Sequence, residues 1–482
     1  MATTGSSAPA QLQHFIDGRW TPASTDEVLT VRDPATGEPV ATAPVGGASD
    51  VDAAVGAARK AAAEWARVAP AERAGALRAA AAALRARAGE VARLVTREMG
   101  KPLADAEGGV LAGAATLEQY AELGPLHRGR SLQGAWGATD LMVHEPRGVA
   151  AVITPWNDPV AIACGLIGAC LVTGNAVVLK PSERTPASAG LLVECFDVPP
   201  GVLGLVHGAG EAGAALAGDP RLDLVCFVGS LRTGREIAGQ CARTGAKPLL
   251  ELGGKDPLIV DAGVDPAWAA EQAAIGAFAN AGQICTSVER IYVHADVAEP
   301  FVEALVARAE ALVMGNGLDP ATTLGPLVDR RARTAVHAQV TDAVAGGAEL
   351  RTGGRVPDGP GAHYPATVLT GCTREHAVMR EETFGPVAPV QVVGSFDEAL
   401  AEAAETAYGL AAVVLTRDMG HAQRAWRELP VGTVKVNAVF GGAPGGAAEP
   451  HGGSGRGFGY GPELLDEVTT TKVVHCAPYP ID

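Results

Sequence analysis

Hydrophobic and polar positions change their period twice along this 482-residue chain. Across 50–99, Ala, Leu and Val recur at helical spacing among Arg and Glu, with proline only at Pro70, so two amphipathic helices with solvated arginines are predicted. From Gly148 onward, short β-branched runs (VAAVITP, NAVVLKP, LGLVHG, LVCFVG) alternate with Ala-rich stretches, the pattern of a parallel α/β sheet. After Glu251 a second alternation begins: AEQAAIGAFANAG and PFVEALVARAEAL read as helices, and RIYVHA, VAPVQVV and AAVVLT as strands. A second α/β lobe is therefore expected, in keeping with a chain too long for one hydrophobic core. The stretch 441–461 is too rich in Gly and Pro to be helix or strand throughout, and is expected to be a loop crossing near a functional cleft.

Composition narrows the function. With 47% hydrophobic residues but only 4% aromatics, Ala, Val and Leu must fill the core. A formal charge of -16 repels nucleic acid and anionic membrane, so neither is an expected partner. The opening MATTGSSAPAQLQ has no basic or apolar region of a secretory signal; a mobile tail and a cytoplasmic location are expected. The most apolar run, 160–173, falls short of the roughly 20 residues needed to cross a bilayer and reads as a buried helix. Eight cysteines without a CxxC pair predict neither a disulfide framework nor a zinc cluster, and no metal site is expected.

Several segments carry candidate chemistry. Cys285, in NAGQICTS, follows a helical run and sits among small and polar residues, as an accessible thiol nucleophile must; a packed core thiol is the plainer reading of any one cysteine. Glu251 ends the apolar run PLLELGG, where desolvation raises a carboxyl towards the range of a general base, although a strand-end ion pair fits equally. Asn157 of Pro155-Trp156-Asn157 follows a strand, where parallel sheets bind ligands. Two glycine patterns compete for a dinucleotide phosphate: Gly208-Ala-Gly210-Glu-Ala-Gly213, and Phe227-Val-Gly229-Ser230 with Gly234 one turn later. Lys180-Pro-Ser182-Glu183 offers a cation and a carboxylate for ribose hydroxyls, or a surface ion pair. Glu381-Glu382-Thr-Phe384-Gly-Pro is a loop able to clamp a ribose beside an aromatic ring.

Taken in order and spacing, PWN, KPSE, FVGS, ELGGK, GQIC and EETFGP resemble the aldehyde dehydrogenase superfamily from about residue 14 to the C-terminus. The resemblance implies an α/β fold of three parts: a Rossmann-like cofactor domain (1–122 and 146–252), a catalytic α/β domain (253–461) and a small oligomerisation sheet (123–145 and 462–482), with a homodimer or homotetramer as the assembly. It implies Cys285 as nucleophile, Glu251 as general base and Asn157 as an oxyanion donor, acting on an aldehyde. It implies NAD, held by Ile153, Thr154, Pro155, Trp156, Lys180, Ser182, Glu183, Gly210, Phe227, Gly229, Ser230, Gly234, Leu252, Gly253, Glu382 and Phe384, with the pyrophosphate at Gly229 and Ser230 rather than at the GxGxxG look-alike. Glu183 disfavours the 2′-phosphate of NADP, which Ser182 leaves some room to tolerate. Members that pass the acyl group to coenzyme A typically lack the Glu251 equivalent, so a free acid is the expected product.

Departures from the family pattern cluster where the substrate tunnel is expected. Asp158 and His451 replace usual aromatics, Gly165 stands where many relatives carry Trp or Arg, and Ala279 replaces a frequent aromatic. With Ile284, Thr286 and Phe440 these are the expected substrate contacts, and the loss of bulk predicts a wide tunnel for a bulky or aromatic aldehyde, unless other side chains refill the space. The stretch GSGRGFGYGPE is compressed relative to the family, and no roles are carried onto it. Two alternatives from other classes are an idle structural member of the fold and a thiol hydrolase using His294 or His451 as base.

Overall fold

The computed structural model describes residues 10–443 and 445–479. Of the expected N-terminal tail, 1–9 lie outside the described residues. From Ala10 the tail expectation is corrected: Ala10–Gln11 is a strand pairing with Ala41 and Thr42, which satisfies its backbone in a three-stranded sheet.

Two large sheets carry the molecule among the described residues. The first has parallel strands in spatial order Lys247–Leu252, Leu224–Gly229, Val149–Ile153, Ala176–Lys180 and Leu203–Leu205. The runs read as strands from the sequence are these strands. They are wholly or mostly buried on both faces, as parallel sheets covered by helices must be. The chain leaves Val149–Ile153 to one side and returns to pair Leu224–Gly229 on the other, so a crevice opens between the carboxyl ends of those two strands. The second sheet stacks Thr367–Thr370, Val387–Val393, Val288–His294, Asp256–Val260, Ala411–Leu415 and Thr433–Val436 in parallel, with Glu349–Thr352 antiparallel at one edge.

Only Gly253, Gly254 and Lys255 separate the last parallel strand of the first sheet from Asp256–Val260 of the second, so the lobes join at the cleft itself. A return strand, Gly455–Arg456, pairs antiparallel with Leu250 and Glu251. It lies within the expected catalytic range 253–461 yet extends the cofactor-side sheet, so a boundary drawn by chain order cuts across the tertiary structure.

The stretch 50–99 folds as three helices, Ala48–Arg67, Pro70–Ala86 and Ala88–Met99, where two are expected from periodicity. The extra break falls at Arg87 (φ -106°, ψ 10°), which no proline or glycine marks. Its guanidinium bonds Glu90 at 2.8 Å and Glu194 at 2.8 Å, so a tertiary ion pair holds the kink. The apolar run forms the buried helix Pro159–Thr173. Among the described residues no helix is long and apolar enough to cross a membrane. All eight cysteines are free thiols, most of them buried.

Candidate active site

The crevice holds a cavity of about 230 Å³ at the meeting point of the two lobes. Pro155, Trp156 and Asn157 enter it from the end of Val149–Ile153, Gly229 and Ser230 from the end of Leu224–Gly229, and Glu251, Leu252 and Gly253 from the end of Lys247–Leu252. Cys285, Glu382 and Phe384 close it from the other lobe. Segments from 34 to 128 residues apart in the chain thus bring the thiol, the carboxyl and the amide into one space.

Cys285 is presented by an unusual turn. After the helix Pro266–Phe278, Asn280, Ala281 and Gly282 all have left-handed backbone (φ +49°, +54° and +71°), which costs about 1–2 kcal/mol for each residue bearing a Cβ. Buried amides hold it. Asn280 Nδ2 donates to the Gln283 carbonyl at 3.1 Å and to the Asn157 carbonyl at 3.4 Å, and Asn157 Nδ2 donates to the Gln283 carbonyl at 3.1 Å. Gln283 Oε1 accepts the Val328 N–H at 2.8 Å. The turn and the Asn157 amide are therefore locked together.

Burial sets the protonation of the site. The Cys285 thiol is pushed up to about 12 by desolvation, with Glu251, Asp256 and Glu382 adding negative charge nearby. Glu251 is pushed up to about 7 by desolvation, against which the Gly459 N–H, donating to Oε1 at 3.0 Å, favours the carboxylate. Glu382 is pushed up to about 8 by burial and by Glu289. Its carboxyl lies on the Gly253-Gly254 backbone, accepting the Gly254 N–H at 3.3 Å; a Cβ at residue 253 would sit 2.2 Å from its Oε1.

A buried network sets the Glu382 loop. Lys255 Nζ reaches Glu289 Oε2 at 2.8 Å and Thr383 Oγ1 at 3.0 Å, and both Glu289 oxygens accept N–H bonds from Thr383 and Phe384 at 2.8 Å. Phe384 adopts φ +49° and meets the Trp156 ring edge-on at 5.5 Å, while the Arg184 guanidinium lies 5.3 Å from the Trp156 centroid.

The cavity continues into a groove of about 720 Å³ that shares Pro155, Trp156, Gly229 and Ser230 with it. Ile153, Thr154, Lys180, Ser182, Glu183, Gly210 and Phe227 line this groove. Buried Lys180 stands 3.8 Å from Glu183, a cation and a carboxylate at one end. Helix Leu231–Thr244 begins at the other, capped by Ser230. Nothing lies within 4 Å of where a Gly210 Cβ would be, leaving the groove open there. These residues fit a dinucleotide. Both glycine patterns reach the groove, but Gly234 does not line it: a Cβ there would lie 2.4 Å from the Leu252 side chain, so it serves close packing of helix on strand.

Of the expected substrate contacts, none lines the 230 Å³ cavity itself. Asp158 heads the buried helix and pairs with Lys101 at 3.4 Å. Gly165 is covered: its missing Cβ would stand 3.9 Å from Thr116 and 4.0 Å from Tyr460. Ile284 and Thr286 flank the nucleophile half-buried, Ala279 is half-buried before the turn, and Phe440 lies beneath the Lys435 ammonium at 5.5 Å. His451 is exposed and bonds the Gly409 carbonyl through its backbone N–H at 2.9 Å. His294 accepts the Asp296 N–H and is likewise absent from the cavity, so neither histidine is placed as a base for Cys285. Residues not anticipated from the sequence include Gly459, which holds Glu251, and Tyr460 over Gly165; the compressed Gly-rich stretch gave no register by which to find them.

The geometry belongs to a known class of enzyme. The aldehyde dehydrogenase family model matches residues 20–474, and the chain belongs to this family of NAD(P)-dependent oxidoreductases. Relatives include 3-sulfolactaldehyde dehydrogenase of Pseudomonas putida, 38% identical over 89% of each chain, and succinate-semialdehyde dehydrogenase [NADP(+)] of Escherichia coli, 36% identical over 88% of this chain and 89% of that one. The solved structure of an NAD-dependent aldehyde dehydrogenase from Sinorhizobium meliloti superimposes with a TM-score of 0.94 at 34% identity, covering 98% of this chain and 96% of that one.

Proposed function

We propose that this enzyme oxidises a bulky or aromatic aldehyde to its free carboxylic acid using NAD, with Cys285 as nucleophile and Glu251 as general base. The observation that carries the proposal is the convergence of thiol, near-neutral carboxyl and fixed amide in one buried cavity.

A thiol pushed up to about 12 is protonated at neutral pH, so the attacking thiolate forms with loss of its proton to solvent, leaving the Glu251 carboxylate free for the later hydrolytic step. As Cys285 Sγ bonds the aldehyde carbon, the second amide hydrogen of Asn157 and the Cys285 backbone N–H stabilise the developing oxyanion. NAD, when bound, would supply the hydride acceptor for oxidation of the adduct on Cys285 to a thioester. Lys180 and Glu183 would hold its adenosine ribose, and Glu382 the nicotinamide ribose. Glu251 then takes a proton from the water that hydrolyses the thioester, which makes free acid rather than acyl-coenzyme A the product.

Glu183 supports NAD over NADP, because its carboxylate would face a 2′-phosphate. Bulk in the substrate is read from Ala279, half-buried before the Cys285 turn, and not from Gly165, which Tyr460 and Thr116 cover.

The test follows NADH at 340 nm over a panel of aldehydes, with NAD and NADP compared. Cys285→Ala abolishes turnover. Glu251→Gln lowers steady-state turnover by about 100-fold while keeping a first-turnover burst of NADH, because the thioester forms but is not hydrolysed. Normal turnover by Cys285→Ala would overturn the mechanism. A higher kcat/KM with NADP would overturn the cofactor preference.

A further inference from the structure

We infer that Tyr460 is a specificity-determining residue whose hydroxyl receives a hydroxyl group carried by the substrate several bonds away from its aldehyde carbon. This rests on the aldehyde-oxidising function proposed above and names a class of substrate for it.

The helix Pro159–Thr173 begins just after Asn157. Ile162 on this helix lines the cavity with Cys285, and Gly165, three residues further, shares its face. Gly165 adds no side chain there, so the space beside it takes the character of whatever covers it. That cover is the Tyr460 ring, with Cδ2 4.0 Å from the position of a Gly165 Cβ, and beside it the Thr116 methyl at 3.9 Å. Tyr460 directly follows Gly459, whose N–H holds Glu251 at 3.0 Å and whose own Cβ would collide with the Glu251 side chain at 2.3 Å. The placement of the ring is thus tied to the placement of the carboxyl in the cavity.

The hydroxyl belongs to a small polar group in the wall, with Gln119 and Thr116. Tyr460 Oη lies 3.2 Å from Gln119 Oε1 and 3.3 Å from Thr116 Oγ1. The single Tyr460 proton goes to Gln119 Oε1, while Thr116 donates its own hydroxyl proton to the Ala112 carbonyl at 3.0 Å. Its oxygen retains lone pairs that those two contacts do not use. With 41% of its surface accessible, Tyr460 is open to an incoming group. A wholly apolar aldehyde would strip water from this oxygen without replacing the hydrogen bond, whereas a hydroxyl replaces it.

Reach sets which hydroxyl is read. Gly165 stands six residues beyond Pro159, about 9 Å along the helix, and Asn157 lies before the helix begins. A hydroxyl on the carbon next to the aldehyde does not span that distance from the oxyanion amide, whereas one across an aryl ring comes close to it.

The experiment compares kcat/KM for 4-hydroxybenzaldehyde against benzaldehyde, and for 2-hydroxypropanal against propanal, in the wild-type enzyme and in Tyr460→Phe, which keeps the ring and removes only the hydroxyl. The wild-type enzyme prefers the phenolic aldehyde, and Tyr460→Phe lowers that preference about five- to tenfold while leaving the 2-hydroxypropanal to propanal ratio unchanged. The fall in kcat/KM is larger for 4-hydroxybenzaldehyde than for benzaldehyde. No wild-type preference for the phenolic aldehyde, an unchanged preference in Tyr460→Phe, or an equal fall in both ratios overturns the assignment to Tyr460 alone. Failure of the wild-type enzyme to oxidise any of the four aldehydes overturns the parent function, and this assignment with it.

Discussion

Glu251 and Cys285 share one cavity, and burial moves both away from their charged forms: the carboxyl to about 7, the thiol to about 12. The consequences differ. A carboxyl raised to about 7 is still half ionised at neutrality, so Glu251 works as a base there but loses that capacity as pH falls through this value. Accordingly kcat has an acidic limb near pH 7, and Glu251→Gln removes the limb along with most of the rate. A profile in which Glu251→Gln keeps the same limb would assign the titration to another group. The carboxyl's position at the end of PLLELGG made its desolvation legible from sequence, because an apolar run followed by two glycines marks a buried strand end. The thiol's elevation was not legible: it comes first from burial in the cavity and then from Glu251, Asp256 and Glu382 gathering around Cys285, and only folding does either.

At the scale of elements, catalytic geometry depends on two loops pressed together. The left-handed turn before Cys285 lies directly on the loop after Phe384, and a Cβ on Gly282 would stand 2.1 Å from the Gly385 carbonyl oxygen, which is backbone and cannot swing aside. Gly282→Ala therefore lowers stability by about 2 kcal/mol or more and moves Cys285 relative to Glu382. Urea unfolding and turnover measured below the transition check this, with turnover expected to fall more than tenfold in folded protein; full activity in that variant would show that the turn has other ways to relax. The helices and strands themselves were legible because their periods are local. Two features were not: the break at Arg87, held by Glu90 and Glu194, and the pairing of Gly455–Arg456 with Glu251, which joins a stretch without periodicity to a strand some two hundred residues earlier in the chain.

At the scale of the molecule, a small sheet stands apart from both lobes. Arg130–Leu132 and Thr469–Cys476 flank Thr139–Pro146, and a Lys472–Glu145 ion pair, the His127–Asp466 bond at 2.8 Å and Arg147 on the Glu467 carbonyl at 2.8 Å tie it down. Leu132 and Val473 present exposed apolar surface on it. We propose this sheet as the oligomerisation element of a homodimer or homotetramer. Sedimentation of the wild-type chain then gives two or four times 48.8 kDa, and the double variant Leu132→Asp, Val473→Asp shifts it towards one. A monomeric wild type, or a variant with unchanged mass, would discard the proposal.

What the sequence determined by itself was the list of parts and their order. Strand runs, the buried helix, and the segments PWN, ELGGK, GQIC and EETFGP carry their signals within a few residues, because periodicity and turn chemistry are local. Which residues surround the aldehyde was decided only in three dimensions. Gly165 read alone promised open space, yet Tyr460, nearly three hundred residues on, stands over it, and Gly459 beside it holds the base. The physical reason is that a glycine removes a side chain without choosing what fills the gap. That choice belongs to packing, which draws on whatever part of the chain the fold brings there.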